Sequence, residues 1–152
     1  MKTLLQRVSR ASVGGDGESL GSIGRGLLVL AGFRERDDEE ELRWMAGKIV
    51  NLRIFPDSGQ NMNLSLLDVD GQLLVVSQFT LHASCRKGRR PSFVKAAPPS
   101  QAETLYDIFL QELRGFGVEV ESGRFGAMME VELVNSGPVT IMVESPSERS
   151  GA

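Results

Sequence analysis

The chain has 152 residues, 41% of them apolar, with 20 acidic and 17 basic side chains and a net charge of −3. That length suits one ordinary domain with a real core, and the acidic balance argues against coating of nucleic acid by bulk electrostatics while leaving room for a local basic patch. A single cysteine and a single histidine exclude an internal disulfide, argue against a zinc site of ordinary composition, and suit a reducing cytoplasm.

Met1-Lys2-Thr3-Leu4-Leu5 has the basic-then-apolar opening of a secretory signal, but Gln6 and Arg7 end the run before an apolar segment of that kind can form. No later stretch reaches membrane-spanning length. Leu4 to Val13 reads as a strand that stops at Gly14-Gly15-Asp16-Gly17. In strict alternation Leu5, Arg7, Ala11 and Val13 share a face, so the Arg7 guanidinium needs either a hydrogen-bonding duty or a route to solvent. Gly26 to Gly32 is an apolar run between glycines, expected as a central strand buried on both faces.

Asp37 to Glu41 place negative charge where a helix N-terminus favours it, and Leu42, Met45, Ala46, Ile49 and Val50 follow as one helical stripe. The acidic run is a helix start and not a metal site. Arg53-Ile54-Phe55 predicts a brief strand closed by a turn at Pro56-Asp57-Ser58-Gly59. Asp68-Val69-Asp70-Gly71 lacks the third acidic position and the closing glutamate of a calcium loop and reads as a turn.

Gln72 to Leu81 predicts a buried strand, Leu73-Leu74-Val75-Val76, running into Ser77, Gln78, Phe79 and Thr80. Polar groups at the end of an interior strand are where sheets expose amides and side chains to a pocket; a strand end turning polar as it meets water accounts for the same residues. In an extended chain Ser77 and His82 lie about 16 Å apart, which removes a serine–histidine pairing. Arg86-Lys87-Gly88-Arg89-Arg90-Pro91 is the one dense basic cluster, a loop by its glycine and proline. It reads as solvated loop or as a grip on a few phosphates.

Ser100 and Glu103 predict a capping box for a helix carrying Ala102, Leu105, Tyr106, Phe109, Leu110 and Leu113 up to Gly115. Its aromatics are core. Val118 to Glu121 alternates as a strand, and Ser122 to Gly126 loops towards Met129. From Met129 to Val134 the chain alternates again, with Met129, Val131 and Leu133 inward. Asn135-Ser136-Gly137-Pro138-Val139-Thr140 interrupts that run before a second one, Val139 to Val143. Gly137 tolerates positive φ and Pro138 removes a donor, so the stretch reads either as a hairpin loop or as a rigid rim of carbonyl acceptors facing a ligand. Residues 1–145 are expected to form a single domain, and Ser145 to Ala152 to fray, with 146–152 a disordered tail.

Ser77-Gln78-Phe79-Thr80-Leu81 and Asn135-Ser136-Gly137-Pro138-Val139-Thr140, in that order, resemble the two signature motifs of the bacterial D-aminoacyl-tRNA deacylase family. The resemblance takes in Arg7-Val8, Arg86 to Phe93 and Gly123-Arg124-Phe125, and so extends to Val143; Ser136 departs from the aspartate often found there. It implies an α/β fold with mixed β-sheets forming a barrel-like core and two main helices packed outside, in a homodimer. It also implies an ester hydrolase acting on the 3′ end of aminoacyl-tRNA, with no cofactor, no DNA and no membrane partner. Carried over to this chain, Gly137 and Pro138, joined by a cis bond, would present carbonyls to the substrate's α-amino group in the other subunit's site, and Arg7 would steady them. Ser77, Gln78 and Phe79 would line the pocket with amides for the oxyanion, and Phe125 and Met129 would pack near the terminal adenine. Thr80 is a candidate nucleophile without an evident base, and the family's mechanism relies on the terminal 2′-hydroxyl to activate water. Two other classes stay open on the residues: a small-molecule hydrolase using Thr80 or Ser77 covalently, and a non-catalytic binder of RNA ends.

Overall fold

A computed structural model describes residues 1–146; of the expected tail, residues 147–152 lie outside the described residues. The chain runs β1 (Lys2–Gly15), β2 (Glu18–Ile23), β3 (Gly26–Gly32), α1 (Glu39–Asn51), β4 (Phe55–Pro56), β5 (Met62–Leu64), β6 (Gln72–Ser77), a 3-10 turn (Phe79–His82), α2 (Pro99–Arg114), β7 (Val120–Ser122) and β8 (Glu130–Glu144). The main sheet is mixed, ordered β2-β1-β3-β6-β7 with β8 on the other edge of β1. β1 pairs antiparallel with β2, β3 and β8, whereas β3–β6 and β6–β7 are parallel. The sheet curls until β2 approaches β7, and Gly21 permits it: a Cβ there would stand 3.1 Å from the Ser122 carbonyl oxygen. The result is the nearly closed, barrel-like sheet with two helices that the motifs imply.

Central strands of such a sheet are covered on both sides, and their alternation divides the core in two. Leu27, Val29, Ala31, Leu73 and Val75 face the helices, packing with Leu42, Met45, Ile49, Phe109 and Leu113. Leu28, Leu74 and Val76 point into the barrel with Val8, Ala11, Val13 and Ile23. Burying a Leu, Val or Phe side chain contributes about 1.5–3 kcal/mol, so these two layers dominate the stability of the fold. Tyr106 on α2 donates its hydroxyl to the Val75 carbonyl at 2.7 Å, and burial pushes its pKa up to about 12.

Several expectations change. Leu5, Ala11 and Val13 do not share a face, because β1 is irregular on either side of Val8 and changes from the helix side to the barrel interior. The Gln72–Leu81 strand ends at Ser77 and turns as a 3-10 helix, so the extended separation of Ser77 and His82 does not apply. Instead, the His82 ring is buried and bonds the backbone of Gly32. The capping box does not form: Pro98 precedes α2, Pro99 sits in its first turn, and no side chain caps it. Asp38 caps α1 through the Glu41 amide at 3.0 Å, whereas buried Asp37 accepts from the Met1 ammonium at 2.7 Å. Ser145 is not frayed; it is buried, and its hydroxyl takes a 2.6 Å bond from the same ammonium.

Candidate active site

The carboxyl ends of parallel strands leave backbone groups that no further ladder uses. In this chain β3 and β6 end together, with Ala31 beside Ser77. Gly32 lets them close up: a Cβ there would lie 2.9 Å from the Gln78 carbonyl oxygen. Above these ends lies a cavity of about 700 Å³ whose lining includes Ser77, Gln78, Phe79, Phe93, Phe125 and Met129. A wider depression of about 820 Å³ adjoins it along Ser12 to Ser19 and Met128 to Glu132. Glycines, serines and exposed carboxylates dominate that lining.

The Gln78 amide already donates to the Ala31 carbonyl at 2.7 Å. The amides of Phe79 and Thr80 open the 3-10 turn, and among the described residues neither has a backbone acceptor. The Thr80 side chain lies outside the cavity lining, and its hydroxyl is paired with the Gln78 side-chain amide. An amide cannot take up the hydroxyl proton, so Thr80 has no activating base there. His82 faces inward, held to Gly32, and burial pushes its pKa down.

The interrupted stretch near the C-terminus is not a hairpin. Both of its flanks pair with β1, Val8 opposite Asn135 and Gln6 opposite Thr140, so Ser136 to Val139 bulge out of one long strand. Arg7 lies beneath this bulge. Its Nε donates to the Ser136 carbonyl at 3.0 Å and its Nη1 to the Ile54 carbonyl at 2.7 Å. The Asn135 side chain accepts from the Val139 amide at 3.1 Å and donates to Thr140 Oγ1 at 3.0 Å. The Gly137–Pro138 peptide bond is cis, and Gly137 has φ +127°. Neither Gly137, Pro138 nor Arg7 lines the cavity of its own chain.

The structure thus brings together Ser77, Gln78, Phe79, Phe125 and Met129, and leaves Arg7, Gly137 and Pro138 as a separate ridge. Sequence reading missed one wall, Phe93 to Pro99 with Phe33 behind it. The Ala97 amide fixes this wall to the Phe33 carbonyl at 2.9 Å, and Phe93 meets Phe79 edge-on at 5.1 Å. Only the apolar content of a stretch without helical or strand period signalled it.

A curled mixed sheet whose parallel strand ends open into an apolar cavity, with unpaired amides at its edge, defines a site suited to holding a planar ligand beside an oxyanion. The family model described as D-Tyr-tRNA(Tyr) deacylase matches residues 4–144, and the chain belongs to that family. Curated relatives called D-aminoacyl-tRNA deacylase include one from Thermomicrobium roseum, 57% identical over 152 residues, covering 100% of this chain and 99% of the relative. Another, from Bacillus cereus, is 54% identical over 145 residues, covering 95% and 99%. Among solved structures, one titled c-Myc DNA Unwinding Element Binding Protein matches at TM-score 0.91 and 45% identity, covering 97% of this chain and 100% of that one. A probable eukaryotic D-amino acid tRNA deacylase shares the fold at TM-score 0.81 and 23% identity, covering 93% and 97%. No helix among the described residues is long and apolar enough to cross a membrane.

Proposed function

We propose that the protein is a cytoplasmic enzyme that hydrolyses the ester bond of D-aminoacyl-tRNA, and of mischarged glycyl-tRNA, releasing amino acid and tRNA. The observation that carries this reading is an apolar cavity lined by Phe79, whose amide, like that of Thr80 next in the chain, has no backbone acceptor among the described residues, in a chain of this family. The terminal adenine would rest against Phe125 and Met129, as unstacked RNA ends rest on apolar and aromatic groups. That sets the ester carbonyl beside Ser77 and Gln78. Water attacks it, the terminal 2′-hydroxyl helps to activate that water, and the free amides receive the charge on the carbonyl oxygen.

Handedness would come from the Gly137-Pro138 ridge of a second copy. Its carbonyls hold the substrate's α-amino group, a D side chain points into open space, and an L side chain is driven against the ridge. Discrimination by obstruction requires a wall that does not yield, and the Arg7 and Asn135 bonds give it support. Three features favour a second copy: the ridge lies outside its own chain's cavity, the outer edge of β8 has no strand partner among the described residues, and Val134 and Met142 are exposed along it.

Release of D-tyrosine from charged tRNA by purified wild type and Thr80→Ala tests the chemistry. Both are expected to turn over, with rates within about tenfold of each other. Loss of about three orders of magnitude in an intact Thr80→Ala protein, or an acyl adduct on Thr80 or Ser77, would instead establish covalent catalysis. Binding of the tRNA end with no turnover by wild type would leave a binding protein.

A further inference from the structure

The basic cluster has no part in the site described so far, and the fold puts it beside that site. Ser84 and Ser92 exchange both backbone bonds, at 2.8 and 2.9 Å, closing the loop that carries Arg86, Lys87, Arg89 and Arg90. All four side chains are exposed, and among the described residues none is in an ion pair. Phe93, the residue after the closing bridge, is a wall of the cavity, and Lys95 follows between two further lining residues, Val94 and Ala96. Phe79 and Phe93 meet at the rim and stay 53% and 38% exposed.

Unpaired cations gathered in one loop of a chain with net charge −3 repel one another and call for a polyanion. Cations bordering exposed aromatic rings are the combination that holds single-stranded nucleic acid, phosphates on the charges and bases on the rings. We propose that the Ser84–Ser92 loop is a phosphate clamp for the RNA strand whose terminal nucleotide enters the cavity. This rests on the proposed reading of the cavity as the site for a charged tRNA end. Arg86, Lys87, Arg89 and Arg90 hold the phosphates preceding the terminal adenosine, and the Phe79–Phe93 pair offers a face to a penultimate base. The clamp contributes to substrate binding and not to the chemical step.

The test compares full-length wild type with the Arg86→Gln/Lys87→Gln/Arg89→Gln/Arg90→Gln variant on D-tyrosyl-tRNA and on D-tyrosyl-adenosine, which has the ester but no phosphate. The variant should fold normally, because the loop lends no ion pair to the rest of the chain. For the tRNA its KM is expected to rise at least tenfold with kcat unchanged, while hydrolysis of the adenosine ester stays as in wild type. Affinity for uncharged tRNA should also lose salt dependence, its log–log slope falling by about 0.7 for each cation that met a phosphate on a single strand. Equal KM changes on both substrates, or an unaltered salt slope, would overturn the clamp. If wild type cleaves neither ester, the deacylase reading fails, and the salt slope on uncharged tRNA still decides the clamp.

Discussion

At the scale of single residues, the ridge depends on Gly137 and Arg7 occupying nearly the same space. Gly137 has φ +127°, where side chains are strained, and a Cβ there would stand 2.8 Å from Arg7 Nη2 and 3.0 Å from Val139 Cγ2. Gly137→Ala is therefore expected to cost about 1–3 kcal/mol and to displace the guanidinium from the Ser136 and Ile54 carbonyls. Thermal unfolding of the variant, with D- and L-tyrosyl-tRNA assays beside it, checks this: melting should fall and discrimination relax. A variant as stable and as selective as wild type would contradict the arrangement. Arg7 shows what was legible at this scale. Its place among the apolar side chains expected on its face demanded partners for the charge, but Ser136 and Ile54 lie far along the chain, and local sequence does not register such distant neighbours. The exposed pair of Phe79 and Phe93 was hidden for the same reason.

At the scale of elements, strict periodicity was readable and its interruptions were not. β3, α1 and the body of α2 follow directly from apolar spacing, because β3 is covered on both faces and each helix packs one stripe on the helix-side core along its length. β2 escaped notice because Gly21 and the serines around it replace the usual β-branched residues, and Gly21 is where β7 approaches. The Gly-Pro stretch has the local chemistry of a hairpin, yet β1 pairs with both of its flanks, which only the sheet can decide. The 3-10 turn after β6 carries a pH dependence of its own. His82 is buried, its Nε2 has no hydrogen-bond partner among the described residues, and desolvation, the largest influence, pushes its pKa below 6.5 despite the bond to the Gly32 backbone. The unfolded chain then binds the proton more readily than the fold does. His82 contributes stability that is complete above about pH 6.5 and is lost as the pH falls towards its folded value. Denaturant midpoints measured between pH 7.5 and 5.5 should decline more steeply in wild type than in His82→Gln; parallel slopes would mean that the ring takes a proton without cost in the fold.

At the scale of the whole molecule, the cavity and the ridge belong to different surfaces of one chain, and the proposed mechanism needs them together. A long strand edge with exposed Val134 and Met142 is a surface that proteins cover. Val134→Asp places a charge there without touching the cavity lining. If the wild type sediments as the proposed dimer, Val134→Asp is expected to give a folded monomer, at least tenfold less active on D-tyrosyl-tRNA than wild type. A wild-type monomer with full activity would separate the ridge from catalysis. The barrel-like architecture and the paired motifs were legible from the sequence through resemblance, whereas the division of the core into two layers and the apolar wall from Phe93 to Pro99 depend on how the sheet curls. The most direct test of the central claim is hydrolysis of matched D- and L-tyrosyl-tRNA, measured side by side with the purified wild-type protein. Rapid release of D-tyrosine with the L-ester left intact is expected; equal rates for the two would leave the Gly137-Pro138 ridge without a role in chirality.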